Sequence, residues 1–276
     1  MKRKYDLAFS MGFGCGCSKA LRAARLQYAS YPMDWVGITG VIRGAEMIAA
    51  DFAGWLDKPS MGLIDVRRDD EDYQRSYVNR RTGFVFTHDF PYATGFDEAF
   101  AAAELKHGRR IRRLMDGIRA AKDVLAVYVE HPVHERVPDD EIVRAHGILS
   151  KKFPGTRIDL LYFHHKDGAA DCLETRIADG VRTIACECRQ FDYGLVSHGI
   201  EVDGIVRYLR EHATVDDPRS DEEKRAFAEK RRVASPNRFG GGLSGWIARQ
   251  QYRVYRKLER RLKDKNLLPR ERPFWY

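Results

Sequence analysis

Two apolar runs constrain this chain more than any other feature, Val-Leu-Ala-Val-Tyr-Val at residues 124–129 and Ile-Asp-Leu-Leu-Tyr-Phe at 158–163. A strand with one covered face alternates polar and apolar residues, whereas a strand apolar almost throughout needs both faces covered. Residues 139–153 between them have helical character, and residues 181–186 supply a further strand. Apolar strands separated by helices are βαβ units. The pattern therefore predicts a three-layer α/β fold, a mostly parallel sheet with helices on both faces.

Upstream, residues 5–10 read as a short strand, 11–14 as a turn and 18–28 as a helix with Leu21, Ala24 and Tyr28 on one face. A second amphipathic helix is predicted over 40–55, carrying Val41, Ala45, Ile48, Phe52 and Trp55. Residues 84–86 form a strand that leads into Thr87-His88-Asp89-Phe90, and 96–122 form a long helix. These elements place one α/β domain at about residues 1–215.

The remainder, 216–276, differs in charge. The chain carries a net charge of +8, yet residues 219–276 hold 17 Lys/Arg against 7 Asp/Glu, so the rest is slightly acidic. Residues 235–242, Ser-Pro-Asn-Arg-Phe-Gly-Gly-Gly, make a linker. Residues 246–262 follow as a basic amphipathic helix, with Ile247, Val254, Leu258 and Leu262 on one side and Arg249, Arg253, Arg256 and Arg260 on another. Such a tail suits an acidic membrane surface or a solvated helical face; no nucleic-acid partner is assigned. No apolar run approaches the roughly 18 residues of a membrane span, and no secretory signal is evident at the start. Five cysteines make a poor disulfide framework. Reduced thiols and a cytoplasmic location, peripheral to a membrane if the tail docks there, are expected. Cys186, Cys188 and His198 do not match a zinc spacing, so no metal and no cofactor are expected.

The segment Ser10-Met11-Gly12-Phe13-Gly14-Cys15-Gly16-Cys17 has the form strand, glycine turn, helix start. It places Cys15 at a helix N-terminus, where unpaired N–H groups and the helix dipole favour negative charge. Such a thiol ionises more readily and becomes a better nucleophile. The same amides could instead cradle an anion, or Cys15 and Cys17 could be small buried fillers, as most free cysteines are. His88 ends a strand, where ligands meet α/β sheets, and could act as a general base or as a structural histidine. Asp89 and Asp34 are candidate orienting carboxylates, or else turn and cap residues. The run Arg109-Arg110-Ile111-Arg112-Arg113 could bind phosphate or lie on a solvated helix face.

Four segments in order resemble the DUF1796 group, a bacterial family described as papain-like cysteine peptidases. The first is Ser10-Met11-Gly12-Phe13-Gly14-Cys15, with Leu21-Arg22 in the following helix. The second is Ser30-Tyr31-Pro32-Met33-Asp34-Trp35, the third His88-Asp89-Phe90, and the fourth the helix carrying Lys106 through Arg113. Met11 and Met33 depart from the family's leucine and phenylalanine. The resemblance covers roughly residues 5–165. It implies a thiol hydrolase or transferase with Cys15 as nucleophile, His88 as base on an antiparallel sheet, and Asp34 or Asp89 orienting the imidazole. Ser10, Gly12, Gly14, Trp35, Arg109 and Arg110 would then surround a substrate, expected to be anionic. Two other readings stand beside it. One is a non-thiol transferase or anionic-sugar or nucleotide-binding domain of surface-polysaccharide assembly, and the other a membrane-peripheral scaffold.

Overall fold

The computed structural model describes residues 2–12, 14–37, 40–69, 72–131, 135–169, 171–187, 190–192, 198–200 and 202–225. The chain divides into two compact units, Met1–Asp217 and Pro218–Tyr276. In the first unit the order is β1 (Arg3–Tyr5), β2 (Leu7–Ser10), α1 (Gly14–Ala23), β3 (Val36–Gly37) and α2 (Val41–Ala49). A hairpin of β4 (Met61–Asp69) and β5 (Asp72–Asn79), the short β6 (Val85–Phe86) and the long α3 (Phe96–Ala120) follow. Then come β7 (Asp123–Val129), α4 (Asp139–Lys152), β8 (Arg157–His165), β9 (Leu173–Ala178) and β10 (Val181–Cys186). The unit closes with β11 (Gln190–Asp192), β12 (His198–Ile200), α5 (Asp203–His212) and β13 (Ala213–Val215).

The central sheet has five strands in the order β2-β7-β8-β10-β9. The first four are parallel and only β9, at the edge, runs antiparallel. The apolar runs are buried on both faces, as their composition demands. From β7, Val124, Ala126 and Tyr128 face a core shared with α2, α3 and α4; Leu125, Val127 and Val129 face one shared with α1 and α5. Tyr128 stacks on Tyr162 of β8, centroids 5.4 Å apart and planes within 8°. The fold is thus three-layer α/β with a mostly parallel sheet.

A second sheet, antiparallel and four-stranded in the order β3-β6-β5-β4, is built from the segment between β2 and β7. Its hairpin gives little sequence signal, because residues 65–75 are crowded with Asp, Glu and Arg. Its anchor is Asn79, fully buried, whose side-chain amide donates to the Gly54 and Trp55 carbonyls at 2.7 and 3.2 Å. The helix predicted over 40–55 ends at Ala49. Asp51 and Phe52 turn into the left-handed region, φ +52° and +61°, and break the ladder. Phe52 and Trp55 still reach the core, but from this turn.

The expectation that all cysteines are reduced is corrected: Cys172 and Cys186 form a disulfide, with Cα atoms 4.7 Å apart. One precedes β9 and the other ends β10, so antiparallel pairing sets them opposite each other. Cysteine parity says nothing about which residues a sheet register opposes. No helix among the described residues is long and apolar enough to cross a membrane. In the second unit, Ser220 and Glu223 form a capping box that starts a helix, each side chain accepting from the other's backbone N–H at 3.1 and 2.7 Å. The linker at 235–242 and the basic helix at 246–262 lie outside the described residues.

Candidate functional site

After β2 the chain enters α1 on one face of the sheet; after the neighbouring β7 it enters α4 on the other. Connections that part in this way leave a crevice at the carboxyl ends of the two strands, the usual ligand position in open α/β sheets. The glycine turn sits there. Met11 N–H donates to the Val127 carbonyl at 2.8 Å, and Val129 N–H donates to the Gly12 carbonyl at 3.1 Å. Gly12 and Gly14 have φ of +122° and +56°, conformations that glycine alone adopts without strain. Ser10, completely buried, uses its hydroxyl on the turn itself, accepting from Gly12 N–H at 3.2 Å. Cys15 is the second residue of α1 and half-buried. Cys17, two residues on, is a core filler whose thiol burial pushes up to about 12.

A single hydroxyl links this turn to the second motif. Ser18 Oγ lies 3.3 Å from the Cys15 carbonyl and 2.8 Å from the Asp34 carbonyl. Asp34 is fully buried in a 3₁₀ turn, Pro32–Trp35, and its Oδ2 accepts from Gln27, Tyr31 N–H and Arg22 at 2.7, 2.9 and 3.0 Å. Burial pushes the Asp34 pKa up against these bonds. Its other oxygen, Oδ1, is buried without a hydrogen-bond partner. The Arg22 guanidinium lies over the Trp35 ring, 5.7 Å from its centroid, and the exposed His88 meets that ring edge-on at 6.0 Å.

The third and fourth motifs meet across Asp89, which is buried after β6. Its Oδ1 pairs with Lys106, and its Oδ2 lies 3.2 Å from His107 Nε2. The Trp55 indole N–H, which can only donate, reaches His107 Nδ1 at 3.0 Å. Nε2 is therefore the protonated nitrogen and donates to Asp89. Burial alone would raise the Asp89 pKa, but the hydrogen bond from His107 and the ion pair with Lys106 hold it well below the usual carboxylate range. Further along α3, Arg113 donates to the Ser30 carbonyl at 2.9 Å.

The structure thus brings Asp34 and Asp89 within electrostatic reach of Arg110 on α3, sets His88 against Trp35, and ties the Cys15 turn to Asp34 through Ser18. Asp34 and Asp89 both give their carboxylates to loop caps and tethers, and among the described residues neither is hydrogen-bonded to His88. Arg109 is exposed, whereas its neighbour Arg110 is half-buried. Sequence reasoning passed over Arg22, Trp55 and His107 as site-forming residues. For His107 a signal existed: with Lys106 and Arg113 it shares the helical face of Arg110 at spacings of three and four. Among the described residues no group of three or more His, Cys, Asp and Glu is placed to hold a metal. No family model matches the chain, and no curated protein or solved structure compared with it matches.

Proposed function

We propose that this chain is a thiol-dependent hydrolase or transferase of the papain-like kind its motifs resemble, with Cys15 as nucleophile and His88 as base. The observation that carries the reading is the position of Cys15: first turn of a helix, partly exposed, just past the carboxyl end of β2. Helix N-termini are common positions for nucleophilic thiols. His88 supports the assignment because it follows β6 of the antiparallel sheet, where the family resemblance puts the base, and stands against Trp35. Trp35 directly follows Asp34, whose carbonyl shares the Ser18 hydroxyl with that of Cys15.

The test is iodoacetamide labelling of the native protein, read residue by residue by mass spectrometry. Cys17 serves as the internal reference, because a buried thiol held near 12 stays protonated. Cys15 should label at least tenfold faster than Cys17, and His88→Ala should slow Cys15 while changing the pH profile of its rate. Equal labelling of the two thiols, or a Cys15 rate indifferent to His88, removes the thiol mechanism. One observation favours a second reading, an anionic-sugar or nucleotide-binding domain with Cys15 as mere lining: Arg110 is half-buried and makes no hydrogen bond or ion pair with any described residue. Full activity of Cys15→Ala would select that reading.

A further inference from the structure

The thiol and base leave open what chemistry the substrate presents, and the charges on α3 bear on that. Lys106, Arg110 and Arg113 lie on one helical face. Lys106 gives its ammonium to Asp89, and Arg113 gives an N–H to the Ser30 carbonyl. Arg110, half-buried between them, makes no hydrogen bond or ion pair with any described residue. The charges that act on it are Asp89 and Asp34, which attract, and Arg22 and Arg113, which repel. Asp89 has both oxygens engaged, and no ion pair joins Arg110 to Asp34.

A guanidinium partly withdrawn from water with no acceptor among the described residues gives up some of its hydration, and its nitrogens, none of them among the buried unpartnered atoms, stay open to a ligand. The cluster is also unbalanced, since among the described residues the four cations Arg22, Lys106, Arg110 and Arg113 gather about two carboxylates, Asp34 and Asp89. A buried donor on Arg22, its Nε, is likewise without a partner. The surplus of positive charge asks for an anion from outside. The guanidinium fork matches the spacing of carboxylate and phosphate oxygens.

We propose that Arg110 is a substrate-binding residue that takes an oxyanion group, a carboxylate or a phosphate, with Arg22 and Arg113 adding to its field. The inference rests on reading the Cys15–His88 region as the place where substrate sits, because Arg22, whose charge acts on Arg110, lies over Trp35, and Trp35 meets His88. It makes the substrate an anion held beside the thiol.

Isothermal titration of the full chain with inorganic phosphate, and separately with acetate, each against chloride at matched ionic strength, reads the site. Saturable binding is expected for the wild type and for Cys15→Ala, at least about tenfold weaker for Arg110→Gln. Arg109→Gln, at the exposed neighbour, should bind as the wild type does, and Arg110→Lys, which keeps the charge but loses the fork, should fall between. The stronger titrant tells phosphate from carboxylate. Phenylglyoxal modification of the wild type needs no variant: the bound anion should slow reaction at Arg110 and leave Arg109 unchanged. Equal binding by wild type and Arg110→Gln, no saturable signal above chloride, or no protection of Arg110 each overturns the proposal. Because binding is measured with the thiol absent, its failure is separate from failure of the thiol mechanism, which the labelling of Cys15 reports.

Discussion

The two sheets of this molecule are held by different means. The parallel sheet is closed by apolar contact on both faces, with Leu160, Tyr162, Leu125 and Val127 fully or almost fully buried. In the segment that builds the smaller antiparallel sheet, Phe84, Phe86 and Phe90 are buried as well, but the irregular turns are held by buried polar groups: Asp34 under its 3₁₀ turn, Asn79 on the Gly54–Trp55 turn, and Asp89 between Lys106 and His107. Irregular backbone cannot satisfy its own N–H and C=O groups through ladders, so side chains must do it. That need draws charged residues inward, and here the same residues frame the candidate site. Stability and site chemistry are therefore coupled in the antiparallel region and nearly independent in the parallel one.

The largest effect should come from breaking that coupling at Asp89. Asp89→Ala leaves Lys106 and His107 without their carboxylate, a loss of about 3–5 kcal/mol for a buried pair. The pH dependence has a definite sign. A carboxylate held below its ordinary value of 3.8 stabilises the fold fully above that value and loses the contribution as pH falls below it. Wild-type stability, followed by urea melts, should thus decline from about pH 5 downward, and Asp89→Ala should flatten the decline. An unchanged acid limb would mean that the pair contributes nothing to the fold. The matching change in the parallel sheet, Leu160→Ala, should cost about 2–5 kcal/mol through its cavity, add no pH dependence and leave Cys15 labelling in the folded protein as it was.

The same division explains what was legible in the sequence. Strands β7, β8 and β10 and helices α3 and α4 were readable within a residue or two, because covering both faces of a parallel sheet writes an apolar run into the chain. The β4–β5 hairpin was not, since an antiparallel strand at a sheet edge tolerates the charges that crowd residues 65–75. Within the site, Cys15, Asp34, His88 and Arg110 could be singled out by turn chemistry and spacing. What Asp34 binds could not, because its partners Gln27 and Arg22 are selected by tertiary placement that no local pattern encodes; for His107, the partner of Asp89, the shared face of α3 was the one signal.

Ser18 tests the link between the two regions at a smaller scale. Its hydroxyl serves the Cys15 and Asp34 carbonyls together. Ser18→Ala leaves the Asp34 carbonyl short of a donor, a loss of about 1–3 kcal/mol. If the link positions the thiol, Cys15 alkylation should slow in the folded variant as well. Lower stability with an unaltered alkylation rate would confine Ser18 to a packing role and separate the glycine turn from the Trp35–His88 pair.

The smallest effect is expected at the edge of the antiparallel sheet. Leu63 lies on β4 and is 53% exposed, with Ile64 beside it at 49%. If buried polar anchors rather than apolar cover hold this sheet, the exposed leucine contributes little. Leu63→Thr keeps a residue with good strand propensity and removes only partly hydrated methyl groups. The change in unfolding free energy should then stay within about 0.5 kcal/mol, the range of ordinary surface substitutions. Urea melts of the full chain at pH 7 resolve a difference of that size when the midpoint shifts without a change in slope. A loss above about 1 kcal/mol would show that something covers Leu63 in solution. The contrast with Leu160 would then reflect how much of each sheet is covered, and the contrast between anchoring by charge and anchoring by apolar contact would fail.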